Sequence, residues 1–185
     1  MQDLDDETLV LAVVRGDQRA FRVLMDRHMG RSIRFTARLV GNSADADEIA
    51  QEAFIRVWRH AARFDSGRAR FSTWLYQILT NLALDRRRKR QHEGLAEVEE
   101  VAEDRPAADD ILIDLERRRL AAAAIASLPD RQRAAVVLFH LDDVSVRDGA
   151  SILGVSEKSF ESLLTRGRSA CRDYVNLIWK QGEQR

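Results

Sequence analysis

The chain has 185 residues, 45% of them apolar and 32% charged, with 30 basic side chains balanced by 30 acidic ones. That apolar share excludes disorder throughout and suffices for one medium domain or two small ones. No apolar run approaches the ~20 residues of a membrane span, the acidic opening MQDLDDE lacks a signal peptide's basic start, and the single cysteine, Cys171, excludes an intramolecular disulfide, so a cytoplasmic protein without membrane insertion is expected.

Two prolines and nine glycines leave little turn punctuation, and apolar residues recur at helical spacing nearly everywhere, which predicts an all-α fold. Asp5 or Thr8 can start a first helix through Val14, broken at Gly16 and Asp17. A longer helix follows, with Phe21, Leu24, Met25, Phe35, Leu39 and Val40 apolar and Gly41-Asn42 as its stop. Asp45 and Glu48 have the spacing of a capping box for the next helix, whose stripe is Ile49, Ala50, Ala53, Phe54, Val57, Trp58 and Ala61. Asp47, Glu48, Gln51 and Glu52 fall on the opposite face. Residues 63–70, RFDSGRAR, form a short basic loop.

Residues 71–90, FSTWLYQILTNLALDRRRKR, carry the most informative pattern. Phe71, Trp74, Leu75, Ile78, Leu79 and Leu82 gather on one helical face, while Tyr76, Gln77, Thr80 and Asn81 fall elsewhere and can stack on or hydrogen-bond to exposed bases. Arg86, Arg87, Arg88, Lys89 and Arg90 can neutralise phosphates and release counterions. A stripe at this spacing also packs an ordinary core, and a basic run also complements a helix C-terminus.

The balanced charge conceals a division along the chain. Residues 1–90 hold 17 basic against 12 acidic residues, residues 91–116 hold 1 against 10, and residues 117–185 hold 12 against 8. The acidic stretch contains few large apolar residues and reads as a flexible linker. Helical patterning resumes near Ile111, and Pro129 breaks it before a helix over residues 130–141. Ser145 can cap a short helix through Leu153, Gly154 and Val155 turn the chain, and Ser156 can cap a second helix through Cys171. This is helix-turn-helix spacing, in which the second helix enters the major groove; Lys158, Ser159, Ser162, Thr165 and Arg166 would point outward, with Phe160, Leu163 and Leu164 anchoring it. Many αα corners share the spacing without binding DNA.

The order of these parts resembles bacterial RNA polymerase sigma factors of the extracytoplasmic-function (ECF) group, in the sigma-70 family, and the likeness covers nearly the whole chain. DADEIAQEAFIRVWRHAARF is similar to that family's core-polymerase-binding helix, residues 71–90 to its promoter-melting and minus-ten-reading helix, and LPDRQRAAVVLFHL with SVRDGASILGVSEKSFESLLTRGR to its minus-thirty-five-reading domain. The resemblance implies a region-two-like domain over residues 1–90, an acidic linker over 91–112 and a region-four-like domain over 113–185. It implies core RNA polymerase, promoter DNA and an anti-sigma factor as partners, no cofactor or metal, and no bond change catalysed by the chain itself.

Carried over by position, Asp45, Asp47, Glu48, Gln51 and Glu52 match the polymerase-binding residues. Arg63, Phe64, Arg68, Arg70, Ser72 and Trp74, with Tyr76 and Asn81 nearby, match the residues that capture the opened minus-ten strand, and Arg86 to Arg90 would hold the upstream duplex. Phe71 and Trp74 also belong to the apolar stripe. At minus thirty-five the implied contacts are Lys158, Ser159, Glu161, Ser162, Thr165, Arg166 and Arg168. Gly149, Glu161, Leu163 and Gly167 depart from the family pattern, Gly149 at roughly 1 kcal/mol of helix propensity.

Two other readings compete. An enzyme would need a constellation the sequence lacks: His28, His60, His92 and His140 are far apart, and no glycine-rich phosphate loop is present. A helix-turn-helix activator that does not replace the sigma subunit would leave the first ninety residues without a role.

Overall fold

In the computed structural model, which describes residues 3–93 and 110–182, no strand occurs among the described residues, and the chain divides into two compact units, Met1–Glu97 and Val98–Arg185. The first unit is assembled from capped helices. Asp5 accepts from the Thr8 N–H at 2.7 Å and opens α1 (Asp6–Val14). Asp17 accepts from the Arg19 and Ala20 N–H groups at 2.8 and 3.2 Å and opens α2 (Gln18–Val40), which ends at Gly41 with φ 71°. That left-handed conformation suits glycine because it has no Cβ.

The start of α3 (Ser43–His60) corrects the expected capping box. Asn42 is the cap, with extended backbone and its side-chain oxygen accepting from the Asp45 N–H at 2.9 Å. Asp45 therefore lies inside the first turn, and its carboxylate is available for another partner. A 3-10 turn (Ala61–Arg63) and the basic loop lead to α4 (Phe71–His92). Arg70, at the cap position of α4, makes no side-chain cap bond; Glu7 of α1 supplies one instead, accepting from the Phe71 N–H at 3.0 Å.

Leu9, Leu24, Phe35, Leu39, Phe54, Phe71, Leu75 and Leu79 are fully buried where α1 to α4 meet, each stabilising by about 1.5–3 kcal/mol. Trp58, expected in that core, is 37% exposed, with its ring edge-on to Phe21 at 5.1 Å between centroids.

The second unit contains α5 (Asp110–Ala126), α6 (Asp130–His140), α7 (Val146–Leu153) and α8 (Glu157–Gly182). Of the segment read as a linker, residues 94–109 lie outside the described residues; α4 continues through His92 and α5 starts at Asp110, so both ends of that segment are helical. Arginines close the helix ends here. Buried Arg133 donates to the carbonyl oxygens of Ile125 and Leu128, each at 3.1 Å, and of Ala126, which otherwise would be orphaned at the end of α5. Arg131 donates to the Leu153 carbonyl at 2.8 Å, closing α7.

Gly149 and Gly167 gain a reason that composition hides. A Cβ on Gly149 would stand 2.3 Å from Cζ of the buried Phe160 ring, and one on Gly167 would stand 2.6 Å from Cγ2 of Val136. Both glycines let α8 approach its neighbours more closely than any side chain permits.

Candidate nucleic-acid and protein interfaces

The outer face of α3 follows from its period. Ala46, Ile49, Ala50, Ala53, Phe54 and Val57 are buried, which leaves Asp47, Glu48 and Gln51 exposed and Glu52 half-buried on the other side. Glu52 receives Arg56 Nε at 2.9 Å, an exposed i,i+4 pair that contributes little stability. Ile55 and Trp58, both exposed, share that outward side. Ile55 was missed in the sequence, although its position four residues after Gln51 and seven after Glu48 places it there.

Asp45 departs from the face expected for it. Its carboxylate is mostly buried and accepts from Arg90 at 2.7 Å and from Arg86. Arg86 also donates to Glu48 at 2.9 Å. The hydrogen bond that Arg86 donates to Glu48, outweighing desolvation and aided by the charge of Asp45, holds Arg86 protonated even above the usual guanidinium range.

The basic run at the end of α4 is thus not five equivalent cations. Arg86 and Arg90 are engaged by α3, half-buried Arg87 donates to the Leu39 carbonyl at 3.4 Å, and exposed Arg88 pairs with Asp85 at 2.6 Å. Lys89 is exposed.

The remaining minus-ten candidates separate by burial. Tyr76, expected to face bases, is buried with its ring 4.7 Å from that of Phe35, and Thr80, read as lying off the core stripe, is buried as well. Helix α4 packs against both α2 and α3, so it buries a wider arc than a single stripe. Phe71 is core. Trp74 is half-buried, with its ring 5.4 Å from Phe64 of the loop in a tilted arrangement. Ser72 is half-buried, while Arg63, Arg68, Arg70 and Asn81 are exposed. Asp65 folds the loop back on itself, accepting from the Gly67 N–H at 2.9 Å and lying 3.6 Å from Arg68. Arg70, Trp74, Asn81 and Arg88 recur on one outward side of α4, and Gln77, exposed between them, completes that strip. The strip offers cations, an aromatic edge and amides, the groups that hold an unstacked strand.

In the second unit Ser145 and Ser156 cap as expected, accepting from Asp148 N–H at 3.1 Å and Ser159 N–H at 3.2 Å, and Gly154 turns with φ 61°. Phe160 and Leu164 are buried; Lys158, Ser159, Glu161, Ser162, Thr165, Arg166 and Arg168 are exposed. Some of these are occupied. The Thr165 hydroxyl donates to the Glu161 carbonyl at 2.9 Å, and the Ser159 and Ser156 hydroxyls lie 2.9 Å apart. Arg168 Nε donates to His140 Nε2 at 2.9 Å, with its guanidinium 5.4 Å from the Phe139 ring centre. Sequence reasoning missed that pair, because nothing in the spacing links residues 28 positions apart. Desolvation, and then the charge of Arg168, lower the His140 pKa.

Cys171 is half-buried and burial pushes its thiol pKa up, which lowers its thiolate fraction. Among the described residues no group of three or more His, Cys, Asp or Glu could hold a metal ion, and no helix is long and apolar enough to cross a membrane.

Comparison with known proteins agrees with this arrangement. Residues 24–93 match the family model for sigma-70 region 2, and residues 118–171 that for sigma-70 region 4. The chain is 34% identical over 171 residues to the ECF RNA polymerase sigma factor SigW of Bacillus subtilis, covering 86% of this chain and 91% of that protein. It is 30% identical over 192 residues to the ECF RNA polymerase sigma-E factor of Escherichia coli, covering 96% and 97%. Among solved structures, CnrH in complex with the cytosolic domain of CnrY is similar at a TM-score of 0.69 and 25% identity, over 93% of this chain and 97% of that one. RpoE of Bartonella quintana, solved with the anti-sigma factor NepR, shares the fold at a TM-score of 0.68 and 22% identity, over 84% and 96%. With both regions matched in order and full-length relatives at this level of identity, the chain belongs to the ECF RNA polymerase sigma factors of the sigma-70 family.

Proposed function

We propose that the outer face of α3 docks on core RNA polymerase through Asp47, Glu48, Gln51 and Glu52, with Ile55 and Trp58 as an apolar margin, and that Asp45 serves this face from behind. The loop 63–70 and the strip of Trp74, Gln77, Asn81 and Arg88 take the opened minus-ten strand. A flipped base loses its stacking in the duplex and regains it against the Phe64–Trp74 pair. Lys158, Glu161, Ser162 and Arg166 on α8 read the minus-thirty-five element in the major groove, while Ser159, Thr165 and Arg168 act there in part through contacts within their own unit. The chain makes and breaks no bonds itself, and it works in the cytoplasm, where polymerase and promoter are. CnrH was solved with a protein partner bound, and that likeness supports control by an anti-sigma factor covering the same surfaces.

The observation that carries this reading is the pairing, within one unit, of an exposed polar face on α3 with an exposed cationic and amide strip on α4 edged by half-buried Trp74. A promoter-bound activator using α7 and α8 alone would leave both unused. Purified chain added to bacterial core polymerase should yield promoter-specific transcripts from genomic fragments; specific core binding without any specific transcript would overturn the proposal.

A further inference from the structure

The cluster joining α3 to the end of α4 contains two carboxylates, Asp45 and Glu48, and two guanidiniums, Arg86 and Arg90, so it is neutral as a whole. Its two carboxylates are not equivalent. The Asp45 side chain is only 14% exposed and accepts from both arginines, whereas Glu48 is 67% exposed and holds Arg86 through one contact of 2.9 Å. Exposed pairs of this kind contribute little stability. The groove beside them, about 310 Å³, is lined by Glu48 and Glu52 from α3 and by Leu82, Asp85, Arg86 and Lys89 from α4. One pair therefore links the face assigned to polymerase with the helix end assigned to DNA.

We propose that Glu48 holds Arg86 back from DNA, and that a polymerase cation engaging Glu48 releases Arg86 to phosphate. This rests on the proposed assignment of the α3 face to polymerase and on the family likeness, which implies that the basic end of α4 holds the upstream duplex. When Glu48 is taken, Asp45 is left between two arginines, and the cluster changes from neutral to a net charge of +1. That charge lies one turn from Lys89 and Arg90, where a phosphate would gain from it. Linkage makes the effect reciprocal: DNA that draws Arg86 away leaves Glu48 freer for polymerase. The cluster thus favours DNA binding by the polymerase-bound chain over binding by the chain alone.

The test uses the full chain and a labelled duplex of unrelated sequence, with affinity measured across a salt series. Glu48→Gln should steepen the slope of log K against log salt by about 0.9, equivalent to at most about eightfold tighter binding at 0.1 M salt. Glu48→Ala should do the same. Asp26→Asn removes one negative charge from an exposed position of α2 in the same unit and should leave the slope as in the wild type. Adding Arg86→Gln to Glu48→Gln should restore the wild-type slope, because Asp45 and Arg90 then neutralise each other. Equal slopes for Glu48→Gln and wild type, an equal gain from Asp26→Asn, or a gain that survives Arg86→Gln would each overturn the proposal. No salt-dependent duplex binding by any variant or by the wild type would instead defeat the DNA assignment of α4, and the coupling with it. Circular dichroism of each variant confirms that helical content is retained.

Discussion

At the scale of single residues, Gly149 shows how a local cost can be a tertiary requirement. In the sequence it is a helix weakener in α7; in the fold it is the only residue that leaves room for the Phe160 ring. Gly149→Ala would gain up to about 1 kcal/mol of helix propensity, but the buried ring must move to admit the methyl, and overpacking costs about 1–3 kcal/mol. The variant is expected to be less stable, with an earlier midpoint in urea denaturation followed by far-ultraviolet dichroism. His140 makes a second residue-scale prediction. Its pKa is lowered in the fold, so its contribution to stability is complete above the unfolded value of about 6.5 and is lost as pH falls through the folded value. Protonation would also set two cations against each other where Arg168 now donates to a neutral ring. Stability should therefore fall on acidification from pH 7 towards pH 5, and His140→Gln should flatten that part of the profile when denaturation is repeated across pH.

At the scale of elements, α4 divides into a part that periodicity revealed and a part that it could not. Of the six residues on the expected stripe, Phe71, Leu75 and Leu79 are in the core, while Trp74, Ile78 and Leu82 are half-buried. Tyr76 and Thr80 read as outward because they fall off that stripe. Two neighbours, α2 and α3, bury a wider arc, and helical period says nothing about how many elements surround a helix. The caps show the same division. Ser145 and Ser156 cap as their sequence positions suggested, whereas α4 is capped by Glu7, 64 positions earlier, which no local pattern announces. Trp74 is the element's half-buried aromatic edge, leaning on Phe64. Base-on-aromatic stacking is worth about 1–3 kcal/mol, so Trp74→Ala should reduce promoter opening about fivefold or more, read by permanganate reactivity of unpaired thymines. Affinity for core polymerase should be unchanged, because the α3 face is untouched.

At the scale of the whole molecule, the balanced charge hides segregated function. The outward side of α3 is polar and partly acidic, the strip on α4 is cationic and aromatic, and α8 presents Lys158 and Arg166. Away from the Glu48–Arg86 pair, docking and DNA contact are therefore separable by mutation. Gln51→Lys combined with Glu52→Lys should weaken core binding about tenfold, or ~1.4 kcal/mol, in a competition assay, with helical content preserved. The order of the parts, the all-α class, the apolar stripes, the serine caps and the family likeness were all determined by the sequence alone, because helical period and capping chemistry act over a few residues. Only the tertiary structure decided that Asp45 turns inward to two arginines, that Arg86 and Arg90 are engaged by α3, that Gly149 must be glycine, and that Arg168 rests on His140 and Phe139. Each of these depends on groups far apart in the chain, and a charge or a void acquires its meaning from whatever the fold places beside it.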